Sequence, residues 1–177
     1  MEERNASSPQ PQGGSYASLF AQRSLRKGSS QYECHHLISR EALNQWYEEV
    51  EREQGTNPYN SFLADPTQGW APAIVMSHTD HAKTLSYCGG TSRKMKKEAL
   101  KYIDAQANDI IEHGDIIGVL KTETDSIKEI FGDKYDNALK QAWDYMKSLE
   151  CRHINGGTTL QMKNPNQPSL KFFYRFQ

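Results

Sequence analysis

The 177-residue chain contains no apolar run near the ~20 residues that a membrane-spanning helix requires, and its first residues lack the basic-then-apolar order of a secretory signal. These absences predict a soluble chain that would need a dedicated system to leave the cell. A dominant charge sign is also missing: 21 Lys and Arg face 22 Asp and Glu, for a formal net charge of -1. Global charge therefore does not recommend nucleic acid as a partner, which leaves that role to local basic patches. Cysteine is scarce. Cys34, Cys88 and Cys151 are odd in number and form no CxxC, so neither a disulfide framework nor a zinc ribbon is expected. Apolar residues make up only 36% of the chain and the mean hydropathy is -0.82. That composition suits one small α+β domain with a well-solvated surface and a disordered end.

Residues 1–30 are rich in Ser, Pro, Gln and Gly around one apolar patch at Leu19 and Phe20. They read as a flexible leader or linker with one helical turn near 16–25. A folded unit is expected over 31–177. A strand carrying "YECHHLI" comes first, and "REALNQWYEEVEREQ" then spaces Leu43, Trp46, Tyr47 and Val50 as on a helix from about 39 to 54, with Ser39 as its N-cap. "GTNPYNSFLADPTQGW" reads as an irregular loop, and "APAIVM" as a strand that leads into a helix carrying Asp80, His81 and Thr84.

Beyond Thr91 the pattern turns helical to about 150. Lys96, Leu100, Ile103, Ala107 and Ile110 or Ile111 form one stripe that stops at Gly114. Ser126 and Glu129 have the spacing of a capping box, Gly132 reads as a break, and Asp133 as the next N-cap before a helix bearing Tyr135, Leu139, Ala142, Tyr145, Met146 and Leu149. Residues 157–177 read as a terminal β-hairpin around "NPNQP". Trp46, Trp70, Trp143 and Phe131 are expected in the core.

Two adjacent histidines on a strand point to opposite faces, so His35 and His36 suit two different tasks at the edge of a site. A strand ending at His35 and His36, a second strand and a helix bearing Asp80 and His81 can converge at one end, near a helix N-terminus suited to phosphate. "YECHHLI" followed by "WAPAIVMSHTDHAKTLS" resembles the HNH/endonuclease VII superfamily. The likeness is to the ββα-metal nuclease domains at the C-termini of bacterial polymorphic toxins, and "DSIKEIFGDKYDNALKQAWDYM" is similar to the helical tail that follows many of those cores.

The resemblance covers about 31–150. It implies an α+β fold with a small ββα-metal core at about 31–88, a helical extension over about 91–150, and the hairpin beyond. It implies a metal-dependent endonuclease that hydrolyses phosphodiester bonds, with DNA preferred, as a toxin in interbacterial competition. By the same resemblance, His35 and His81 are ligands to one divalent ion, His36 is the general base, and Glu33 orders the site. Imidazole ligands suit zinc or nickel, while magnesium prefers oxygen, so the ion's identity stays open. Asp80 would orient His81 or reach the metal through water, and Thr84 and Ser86 would touch phosphate. "SRKMKKEALK" sets Arg93, Lys94, Lys96, Lys97 and Lys101 within about two and a half turns, either as a nucleic-acid contact or as a solvated helix face. A cognate immunity protein, export by a secretion system and action in the target-cell cytoplasm follow from the resemblance alone.

The chain departs from the family at two places. No Asn stands near Ala71 or Pro72 to brace the loop, and Leu85 occupies the place of a further histidine, so two protein ligands are expected, with water and phosphate completing the ion's surroundings. His78 offers HxxH spacing with His81, although a solvated loop residue is the simpler reading. Cys34 and Cys88 could join His35 and His81 in a structural zinc site. The competing functions are accordingly a zinc-stabilised binding module without catalysis and a degenerate nuclease fold.

Overall fold

A computed structural model describes residues 12–24, 31–54, 69–89, 93–113, 115–155, 160–163 and 169–172. Its centre is a three-stranded antiparallel sheet of β1 (Gly13–Ser15), β2 (Tyr32–His36) and β3 (Pro72–Ser77), in the order β1-β3-β2. β3 is the middle strand, and Pro72 to Met76 are all buried, which explains why this strand reads as an unbroken apolar run rather than an alternating one. Register fixes the two faces. His35 lies opposite Ile74 and Glu33 opposite Met76, whereas Cys34 lies opposite Val75 and His36 opposite Ala73.

The first face carries Ile74 and Met76 into the main core, which also holds Leu37, Leu43, Trp46, Leu120, Ile127 and Leu139. Ala73 and Val75 on the second face pack with Leu19 of α1 (Tyr16–Ser24), with Tyr16, Tyr32 and Cys34 around them. The stretch expected to be a flexible leader thus supplies an edge strand and a helix to the sheet within its described part. A three-residue strand has too little alternation to be recognised in a sequence. Gly13 is required there by a close approach: a Cβ would collide with the Ala138 carbonyl, and the Gly13 N–H reaches Gln141 Oε1 at 2.8 Å.

α2 (Arg40–Gln54) buries Ala42, Leu43, Trp46 and Tyr47 at helical spacing, and its first turn closes from Leu43 N–H to Ser39 carbonyl at 3.0 Å. α3 (His78–His81) is a single turn begun by Ser77, whose hydroxyl accepts from Asp80 N–H. On α4 (Arg93–His113) the buried stripe is Ala99, Ile103, Gln106, Ala107 and Ile110. Lys96 and Leu100, expected on that stripe, are exposed, and of Ile110 and Ile111 it is Ile110 that is buried.

α5 (Ile116–Phe131) corrects a second expectation. Ser126 and Glu129 sit inside this helix and cap nothing. The helix starts eleven residues earlier, where its N-cap Asp115 accepts from Gly118 N–H at 2.7 Å, and it ends at Gly132, whose φ of 62° a side chain would strain. α6 (Asp136–Asn155) follows, with Ala138, Leu139, Ala142 and Met146 buried. Trp46 and Trp70 lie in the core as expected, while Phe131 and Trp143 pack at its rim. β4 (Leu160–Lys163) and β5 (Ser169–Phe172) pair antiparallel, in keeping with the hairpin. The described fold is α+β and mostly helical, and no described helix is long and apolar enough to cross a membrane.

Candidate functional site

β2 aims Glu33 and His35 toward the helices, and each meets a partner that fixes it. His35 is 2% exposed, and its Nε2 lies 2.8 Å from Oε1 of Glu123 on α5, which is equally buried. The Ser86 hydroxyl donates to the same oxygen at 3.2 Å, and the Gln106 amide donates to Oε2 at 3.2 Å. Gln106 also accepts the Ser39 backbone N–H at 2.9 Å, which ties α4 to the start of α2. Burial first, and then the nearby Glu123 carboxylate, hold the Tyr102 phenol above its ordinary pKa, so it stays protonated.

Glu33 bridges two rings of α3. Its Oε1 is 2.9 Å from His78 Nδ1, and its Oε2 takes a short hydrogen bond from His81 Nδ1. Burial alone would raise its pKa, but the hydrogen bonds to His81 and then His78 outweigh this and hold the carboxyl below 4.5. Desolvation and then the neighbouring His35 lower the pKa of His81 below 6.5, against the pull of Glu33. The His35 and His81 rings meet edge to face with centroids 5.1 Å apart, and Tyr87 packs on the other side of His81 at 5.0 Å.

A cleft of about 430 Å³ opens where these rings meet, lined among others by His35, His36, Arg40, His81, Ser86 and Cys88. His36 belongs to the opposite face of β2, yet as the strand's last residue it reaches the same cleft. Its ring is stacked on Tyr16 at 3.9 Å and 19°, which restrains its plane. Four of the expected site residues, His35, His36, His81 and Ser86, therefore come together from positions up to fifty-one apart.

Others are placed elsewhere. Asp80 does not reach His81; its carboxylate accepts from Lys134 and, at 2.6 Å, from the Tyr135 hydroxyl, which pins α3 to the start of α6. Burial opposes ionisation of Asp80, but Lys134, Tyr135 and Ser77 prevail and hold its pKa at about 2. The Thr84 hydroxyl is buried and donates to the His81 carbonyl at 2.9 Å. Arg93, Lys94, Lys96, Lys97 and Lys101 are all exposed on α4 and line no part of the cleft. Lys96 does stand close enough to Cys88 to oppose the rise in that thiol's pKa, which comes from burial and then from Glu41.

Sequence reasoning missed Glu123, Gln106 and Arg40. Glu123 and Gln106 sit where an amphipathic pattern expects apolar side chains, and a polar residue on a buried stripe is the signal that could have found them. Arg40 adds a positive charge at the cleft that no spacing rule marks. Among the described residues, no three of His, Cys, Asp and Glu are grouped as a ready-made metal site. No family model, curated protein or solved structure matches the chain.

Proposed function

We propose that the cleft is the active site of a metal-dependent endonuclease built on a ββα core of β2, β3 and α3, acting on DNA as a toxin module in bacterial competition. The observation that carries this reading is the meeting of His35 and His81, each held through one ring nitrogen by its own carboxylate, beside His36. Metal-binding histidines are commonly held in this way, because a carboxylate on one nitrogen orients the ring and makes the other a better donor. The donor set fits one divalent transition ion with two protein nitrogens, leaving its other positions to water and phosphate oxygen. Such an ion, when bound, offsets the charge that develops on the phosphate and the leaving oxygen.

The remaining work falls to this chain's own groups. His36 takes the proton of the attacking water, with its ring plane fixed against Tyr16. Arg40 lies where it can hold a phosphate oxygen, and Ser86 lines the same wall. The exposed cations of α4 offer a path for the phosphate backbone outside the cleft, and Lys96 among them acts on the charge of Cys88 at its wall. A cognate immunity protein would be the natural partner of such a toxin.

The test is nicking of supercoiled plasmid by the wild-type protein with zinc, nickel, manganese or magnesium added singly, and with excess chelator. His36→Ala should lower the rate by about 10²–10⁴-fold while leaving metal affinity unchanged, because a base is not a ligand. Full activity of that variant, or cleavage that survives the chelator, would overturn the assignment.

A further inference from the structure

Glu123 is fully buried, lies on α5 and stands 88 residues from the histidine it holds. A carboxylate so placed persists only when donors surround it, and three do: His35 Nε2 and Ser86 Oγ at Oε1, and Gln106 Nε2 at Oε2. The direction of the Gln106 amide is set independently. Its oxygen accepts the Ser39 N–H, so its NH₂ group is the end turned toward Glu123. Oε1 accepts from the Ser86 hydroxyl and Oε2 from the Gln106 amide, so both oxygens act as acceptors; the contact with His35 then places the ring hydrogen on Nε2 and leaves the lone pair on Nδ1.

We infer that Glu123 is the positioning residue of His35: it fixes the ring in its Nε2–H tautomer and presents Nδ1 as the donor to a divalent metal. The inference rests on the reading of His35 as a ligand. It makes α4 and α5 part of the site rather than an appendage to it, since Gln106 and Glu123 belong to those helices. It also gives the two rings opposite tautomers. Glu33 engages His81 at Nδ1 and leaves Nε2 of that ring to act as a ligand, so the two carboxylates hold the two rings through different nitrogens.

Long-range proton–nitrogen NMR correlation of the metal-free wild-type protein at pH 8 reads the tautomer directly, with His35→Ala identifying the signal. His35 should carry its proton on Nε2. An Nδ1–H tautomer or a doubly protonated ring overturns the inference, whatever the activity of the protein. Calorimetric titration with zinc then compares wild type with Glu123→Gln, which should bind 10–100-fold more weakly. Equal affinity together with an unchanged His35 tautomer in the variant would also overturn it. Should Glu123→Gln fail to fold, the wild-type spectrum still decides. A wild type that takes up no divalent ion sinks the nuclease reading instead, and the tautomer assignment is then judged on the spectrum alone.

Discussion

Two carboxylates hold histidines at one cleft, and they do so in opposite surroundings. Glu123 and His35 are 1% and 2% exposed at the side chain, walled in by β2, α4 and α5. Glu33 and His81 are 28% and 21% exposed, with His78 at 57% completing the outer cluster. Chemically the pairs are alike, yet the inner one cannot be relieved by water and the outer one can. An inner partner left alone is an unsatisfied polar group in a dry interior, whereas an outer one is rehydrated. The inner pair is therefore suited to fix a ring permanently, and the outer pair leaves His81 freer to adjust.

Breaking the inner pair should cost the most. Glu123→Ala leaves His35, Ser86 and Gln106 without their acceptor and should destabilise the fold by about 3–5 kcal/mol, read by urea denaturation. A loss below about 1 kcal/mol would mean that water enters and that the two pairs do not differ. Asp80 stands between the extremes, being 8% exposed while its partner Lys134 is 54% exposed. Its pKa is about 2 in the fold against an ordinary 3.8, so the folded state binds its proton more weakly than the unfolded state does. The resulting stability, about 2 kcal/mol, is present above pH 4 and is lost as pH falls toward 2. Asp80→Asn should remove that acid-sensitive portion, and a stability curve unchanged between pH 5 and 2 would refute the assignment.

Smaller effects belong to the outer cluster. Glu33→Ala should cost about 1 kcal/mol or less in stability while loosening His81, so that metal affinity falls more than melting temperature does. Its stabilising share fades as pH drops below the ordinary carboxylate range, because the fold holds the Glu33 pKa down. His78→Ala removes only the exposed arm of the cluster and should change stability by about 0.5 kcal/mol or less. If His78→Ala lowers metal affinity as much as Glu33→Ala does, the outer cluster is itself a binding site, and the division between a fixed and an adjustable pair fails.

Where periodicity was strong, the sequence was legible. α2 starts one residue after its expected cap, β3 covers the expected apolar run from its second residue, and α4 runs to His113, the last position before the expected stop. The split between His35 and His36 follows from the two-residue repeat of a strand, and the register shows it. Legibility failed where a local signal had a rival. Ser126 and Glu129 match a capping box, but "DIIGVLKTE" before them continues the helix, and buried Ile116, Ile117, Val119 and Leu120 outweigh the local preference. Asp80 looked like a partner for His81 because it is adjacent in sequence, yet consecutive residues on a helix diverge by about 100° and Asp80 turns instead to Lys134 and Tyr135, just ahead of α6.

The sequence by itself determined which segments become helix or strand over most of the folded region, and it placed three histidines within reach of one another through a strand, a strand and a turn of helix. Hydrophobic spacing and local capping act over a few residues, so they can be read along the chain. Only the tertiary structure decided which carboxylate holds which ring. Glu33 lies 48 residues from His81, and Glu123 lies 88 from His35. No local rule specifies such pairs, because they form only when the folded chain brings α3 to Glu33 and α5 to His35, and in the inner pair burial leaves the donors dependent on the Glu123 carboxylate.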